Sequence, residues 1–179
     1  MFKSVKEKEI EAFDSLKEEF GYKNRFQSPR IKKIVVSTGV GSITDKNKLN
    51  LIPERLALIT GQKPSIQNAK KSIAQFKVRE GQLAGYKVTL RGKRADTFLD
   101  KLIHIALPRT RDFRGLTTTS IDEMGNYNIG IKENTIFPET SNEELRDVFG
   151  MSITIVTSSK TKEETLALLR YLGLPFKED

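Results

Sequence analysis

The apolar residues of this chain fall into short runs with two different periods. Ile10, Phe13, Leu16 and Phe20 recur at helical spacing among Lys and Glu and are followed by Gly21, which predicts an amphipathic helix docked on a core and stopped by a glycine. Residues 31–37 (IKKIVVS) are rich in β-branched side chains and run into Thr38-Gly39-Val40-Gly41, the pattern of a strand ending in a tight turn. Leu49, Ile52, Leu56 and Ile59 return to helical spacing before Gly61. Pro53 lies inside that pattern, so the helix is either kinked there or starts just before it with Asn50 as its cap. Two short segments, 65–70 (SIQNAK) and 87–92 (KVTLRG), look like strands. Between them, 78–85 (VREGQLAG) has two glycines among polar residues and predicts a long mobile loop joining antiparallel strands.

In the second half, Phe98, Leu99, Leu102, Ile103 and Ala106 mark a strong helix over 95–107, with Pro108 as its boundary. Residues 109–126 (RTRDFRGLTTTSIDEMGN) are polar without a period and read as an extended loop. Strands are expected at 127–131 (YNIGI) and 152–157 (SITIVT), the latter alternating as a half-buried strand does. Ser141–Glu144 and Thr161–Glu164 both fit the capping box that opens a helix, and the final helix uses Leu166, Leu169 and Leu172 before Gly173. No internal repeat or low-complexity tract interrupts the order. The expected class is α+β: a single domain over residues 1–179, with a mainly antiparallel sheet, helices packed on one face and a long basic loop protruding. Strand side chains alternate in direction, so one face of such a sheet is left to Ser37, Gln62, Lys87, Thr89 and Arg91. A platform of hydroxyl, amide and cationic groups suits phosphates, ribose 2′-hydroxyls and base edges.

Charge sharpens that picture. The chain carries a formal +8 over 179 residues, and residues 69–94 alone hold eight bases (Lys70, Lys71, Lys77, Arg79, Lys87, Arg91, Lys93, Arg94) against one acid, Glu80. A local excess of this kind points to a polyanionic partner. Beyond Leu116 the balance reverses, with six bases against eleven acids, so one end suits RNA and the other a basic protein. Phe76, beside Lys77 and near Arg79, is either core or a stacking platform for a base. Arg109, Arg111 and Arg114 surround Asp112 and Phe113, and read either as a binding loop or as local partners of Asp112. The absence of cysteine and the presence of one histidine, His104, exclude zinc ribbons, iron–sulfur clusters, thiol nucleophiles and imidazole metal clusters. The turn STGVGS (37–42) lacks both GK[ST] and the third glycine of a dinucleotide fingerprint. Asp112, Asp122 and Glu123 form the best carboxylate set, yet nothing in their spacing fixes a catalytic geometry; neither an enzyme nor a cofactor is expected. The acid-rich start MFKSVKEKEIEAF has no apolar signal core, and no apolar run nears the ~20 residues of a membrane span, so a cytoplasmic protein without membrane contact is expected.

TGQKP (60–64), AKKSIAQFKVREG (69–81), GYKVTLRG (85–92), ALPRTRDFRGL (106–116), GNYNIGIKE (125–133) and IFPE (136–139) resemble, in order and spacing, the family of bacterial large-subunit ribosomal protein number five, which binds 5S ribosomal RNA. The resemblance covers essentially the whole chain. It implies a structural constituent of the large subunit that helps form the central protuberance and is monomeric when free. The implied partners are 5S rRNA, 23S rRNA, the P-site tRNA and a small-subunit head protein across an intersubunit bridge. Carried over residue by residue, the rRNA surface is Ser37, Gln62, Phe76 and Thr89, supported by Lys63, Lys70 and Arg91. The tRNA-facing loop carries Lys77, Arg79 and Gln82, and Arg109, Arg111 and Arg114 form the basic loop of the intersubunit side. Two departures stand out: Ser37 replaces a common asparagine, which shortens its reach, and Met124 replaces an arginine in the Gly-Asn-Tyr turn. The rival from another class is a free-standing regulatory RNA- or DNA-binding module, which would not sediment with large subunits.

Overall fold

The first helix, α1 (Val5–Phe20), starts where Ser4 and Glu7 cap each other: the Ser4 hydroxyl accepts from the Glu7 N–H and the Glu7 carboxylate accepts from the Ser4 N–H at 3.0 Å. It ends at Gly21 in the left-handed region, φ 66°. Its buried stripe is Val5, Ala12 and Leu16, whereas Ile10 is 49% exposed and Phe13 only half-buried. The expected helix therefore forms, but rotated away from the stripe that spacing alone selects.

In this computed structural model the described residues are 3–43, 45–76, 78–141 and 147–177, with only the backbone described at Phe76. Strands β1 (Ile31–Gly39), β2 (Ser65–Asn68), β3 (Leu83–Leu90), β4 (Asn126–Ile131) and β5 (Met151–Thr157) form one sheet in the order β2-β3-β1-β5-β4. The sheet is antiparallel and the class is α+β, as expected. Helices α2 (Lys46–Thr60), α3 (Lys93–Lys101) and α4 (Lys162–Leu172) complete the set.

Several boundaries differ from expectation. Helix α2 starts at Lys46 with Asp45 as its cap, so Asn50 is interior and Pro53 sits inside the helix. Proline lacks the N–H that would bond to the carbonyl four residues back, at Leu49. That carbonyl instead accepts from the Tyr86 hydroxyl at 3.1 Å, which satisfies the gap from β3. Strand β3 begins at Leu83, inside the segment expected as loop, because Ala84 and Gly85 belong to the ladder with β2 and β1. The helix expected to stop at Pro108 continues as a π-helical turn over Leu102–Ala106 and a 3-10 turn over Leu107–Arg109, where Pro108 has no N–H to lose. Helix α4 starts as expected: Thr161 caps the Glu164 N–H, while the Glu164 carboxylate accepts from Lys160 rather than from the cap itself. In the companion motif Ser141 closes a 3-10 turn, Pro138–Thr140, and Glu144 lies outside the described residues.

Contacts separate the chain into two compact units. In the first (Met1–Ile34, Arg91–Ile129, Thr154–Asp179), α1 packs on α3 and α4 over a core that includes Leu16, Phe98, Leu99, Leu102, Leu168 and Leu172. In the second (Val35–Leu90, Gly130–Ile153), α2 lies against β3 and buries Ile52, Leu56 and Ile59 together with Val88 and Leu90.

Candidate nucleic-acid interface

The second unit presents a concave sheet surface with a cavity of about 520 Å³, and its lining draws on β1, β2, β3 and β5. Alternation explains which side chains reach it. Along β3, Tyr86, Val88 and Leu90 are buried while Lys87 is exposed and Thr89 half-buried; along β1, Val36 and Thr38 are buried and Ser37 half-buried between them. Ser37 and Ser152 meet across neighbouring strands with their hydroxyl oxygens 2.9 Å apart. Lys87 and Gln67 line the same concavity, and Ser65 is bonded to the Lys87 carbonyl. The floor is drawn tight by Gly85, where any Cβ would lie 2.4 Å from the Thr38 carbonyl oxygen, while the Thr38 hydroxyl donates to the Gly150 carbonyl.

Of the expected rRNA set, Ser37 lines this concavity with Lys87. Gln62 and Thr89 are joined elsewhere in the unit, the Gln62 side-chain amide donating to the Thr89 backbone carbonyl at 3.3 Å. That leaves the Thr89 hydroxyl out of the pair. Lys63 and Lys70 are exposed, and Arg91 is exposed just past the end of β3. Phe76 ends a 3-10 turn, Ala74–Phe76, and Lys77 lies outside the described residues.

The segment leading to β3 is tied to itself. Ile73 and Val78 exchange backbone bonds at 2.9 and 3.2 Å, Ala69 and Gln82 are joined at 2.8 Å, and the Gln82 side chain accepts from the Arg79 N–H at 3.1 Å. Arg79 and Gln82 are thus exposed on a hydrogen-bonded excursion of the β2–β3 connection. Arg109, Arg111 and Arg114 are exposed around Asp112, whose φ of 52° is the one positive value of a non-glycine among the described residues. Ser152 and Gln67 join the site without having been expected there. Both sit at alternating positions of segments that read as strands, and their parity was the available signal.

The carboxylates support no catalytic centre. Asp122 accepts from the Met124 N–H and from both the backbone and side-chain amides of Asn126. These bonds, the Asn126 side chain first, hold its carboxyl below the usual carboxylate range. Met124, the departure from arginine, stands at the tip of that turn, 76% exposed. Among the described residues no group of His, Cys, Asp or Glu is placed to hold a metal ion, and no helix is long and apolar enough to cross a membrane.

Sequence comparison supplies what geometry does not. The family profile of ribosomal protein L5 matches residues 24–79, and the profile of the C-terminus of the same ribosomal family matches residues 83–176. The chain belongs to the ribosomal L5 family. Its relatives include proteins called large ribosomal subunit protein uL5. The one from Mycoplasma mycoides is 52% identical over 89% of either chain, and that from Thermoanaerobacter 50% identical over 94% of either. The one from Oenococcus oeni is 49% identical over 98% of this chain and 99% of its own. L5 proteins are structural constituents of the large ribosomal subunit and not enzymes. The two L5 profiles divide at residues 79–83, within the excursion before β3, and so do not follow the two compact units.

Proposed function

We propose that this L5 chain binds 5S rRNA through the concave sheet surface of its second unit and so helps build the central protuberance. The observation that carries this is the convergence of Ser37, Ser152, Gln67 and Lys87 on one open concavity. Paired hydroxyls and an amide read 2′-hydroxyls and base edges, while lysine anchors a phosphate. Gln62, Thr89, Lys63, Lys70, Phe76 and Arg91 extend the same rRNA surface. The excursion with Lys77, Arg79 and Gln82 reaches the P-site tRNA. Arg109, Arg111 and Arg114 serve the intersubunit side, facing a head protein of the small subunit, and 23S rRNA completes the set. The free chain is a monomer.

The test titrates the full chain against 5S rRNA and against an unrelated structured RNA of equal length. Lys87→Ala and the double variant Ser37→Ala/Ser152→Ala should each weaken 5S rRNA binding by about fivefold or more, the worth of one charge-assisted or two neutral hydrogen bonds. Binding to the control RNA should fall for Lys87→Ala alone. Unchanged 5S rRNA affinity in both variants would remove the concavity from the interface. Replacing residues 79–82 by a Gly/Ser turn, which spares β3, should weaken tRNA retention on assembled ribosomes and leave 5S rRNA binding intact. The reverse result would exchange the two surfaces.

A further inference from the structure

The first unit holds a second cavity, of about 270 Å³, between the outward side of α1 and residues 25–30. That is just below the roughly 300–1,000 Å³ of a site for a drug-sized ligand, and suits a smaller one. Phe26 stands at its edge, 82% exposed. The turn that carries it, Arg25–Gln27, is held from both sides. The Asn24 side chain accepts from the Phe26 N–H at 3.0 Å, and the Gln27 side chain accepts from the Lys23 and Asn24 N–H groups at 2.7 and 3.3 Å. Such bracing fixes the backbone from which a large aromatic projects to solvent. The Arg30 guanidinium lies 5.2 Å from the Phe26 ring centre, and the Arg30 backbone is itself fixed by two bonds to Ser158. Ile10 and Phe13, which the rotation of α1 leaves outside its buried stripe, supply apolar walls.

Two further observations point to a polar, anionic ligand. Ser28 lines the cavity and is only 4% exposed, yet its hydroxyl has no hydrogen-bond partner among the described residues. A buried hydroxyl without a partner is costly, and is a signature of a group awaiting one. Lys6, Arg25 and Arg30 bring three cations to the lining against one carboxylate, Glu9, which already accepts from the Ile31 N–H at 2.7 Å.

We propose that this cavity takes one unpaired nucleotide of ribosomal RNA, its base stacked on Phe26, its edge bonded to Ser28 and its phosphate held by Arg25 and Arg30. Aromatic faces and guanidinium planes are the two surfaces on which splayed-out bases stack, and here they are adjacent. An acidic peptide with an aromatic anchor is the competing occupant, but its apolar ring would leave the buried Ser28 hydroxyl without a partner, which a base edge supplies. The proposal rests on RNA being the partner of this L5 chain, though not on the sheet face being the 5S rRNA surface.

The test is photo-crosslinking of the full chain to a short oligouridylate carrying thiouridine, with the adducts mapped by mass spectrometry. Adducts are expected within residues 25–30. Phe26→Ala should weaken oligouridylate binding at this site about tenfold, in line with the loss of one stacked base, with an unchanged melting temperature because the ring is exposed. Ser28→Ala, which removes the hydroxyl alone, should lower the adduct yield in a protein at least as stable as the parent. Lys87→Ala, at the sheet face, should leave these adducts in place, so failure of either surface is read separately. Adducts confined to the second unit, or adducts at residues 25–30 that persist in Phe26→Ala, would overturn the proposal. So would a Phe26-dependent complex with an acidic aromatic peptide that the oligouridylate cannot displace.

Discussion

At residue scale, position 85 is set by sterics and position 122 by hydrogen bonding. Gly85→Ala would put a methyl carbon 2.4 Å from the Thr38 carbonyl oxygen, both of them backbone-anchored, so β3 must move away from β1. A loss of about 1–3 kcal/mol in urea unfolding is expected, the usual cost of overpacking, together with weaker 5S rRNA binding because the concavity floor shifts. Asp122 makes a prediction about pH. Its bonds from Asn126 and Met124 favour the charged form, so the folded chain holds that proton more weakly than the unfolded chain. A lowered carboxyl contributes stability that is fully present above its unfolded pKa and is lost as pH falls through the folded one. Asp122→Asn removes the titration while keeping the shape. Urea unfolding should show that it loses less stability than the parent between neutral pH and about pH 3.

At the scale of elements, α2 and β3 are joined by a hydrogen bond to one backbone carbonyl as well as by apolar packing. Pro53 withholds the N–H that Leu49 would have bonded, and Tyr86 supplies a hydroxyl in its place at 3.1 Å. Tyr86→Phe keeps the buried ring and removes the donor. It should cost about 1–3 kcal/mol by leaving a carbonyl unsatisfied, read from denaturant midpoints at constant slope. Adding Pro53→Ala, which restores the helical N–H, should recover much of that loss. Additive losses in the double variant would show that the hydroxyl and the proline are unrelated. The β3 ladder likewise limits the cut that tests the proposed tRNA contact to residues 79–82. Residues from Leu83 onward already belong to the β3 ladder, so a longer deletion would damage the sheet as well as the tip.

At the scale of the whole molecule, charge sets how strongly RNA is held. The eight bases of residues 69–94 account for nearly all of the formal +8, and those described in the second unit, with Lys63, are exposed. If about four of them displace counterions from phosphates, 5S rRNA affinity should fall more than about tenfold between roughly 50 and 200 mM salt. Filter binding across that range checks the expectation, and a flat response would show that hydroxyl and amide contacts carry the affinity instead. If the concavity is the 5S rRNA surface, competition by bulk tRNA should have little effect, because shape and the hydroxyl pair would discriminate where charge does not.

Much of this was written in the one-dimensional pattern. The alternation of residues 152–157, the caps at Thr161 and Gly21, the α+β class and the concentration of charge around residue 80 all follow from local chemistry, because period, caps and charge act between near neighbours. So did the parity of Ser37, Lys87 and Thr89. The tertiary structure decided which of those side chains meet. Ser37 finds Ser152, 115 residues away, only because β1 and β5 are neighbours in the sheet, and parity within a strand carries no information about strand order. The rotation of α1 was equally non-local. Its spacing allowed Ile10 into the core, yet packing on α3 and α4 selected Val5, Ala12 and Leu16 and left Ile10 and Phe13 to wall a cavity. Pro53 shows the same division of labour: the sequence marked either a kink or a helix start there, and only the tertiary structure placed the proline inside α2 and brought Tyr86 to the Leu49 carbonyl.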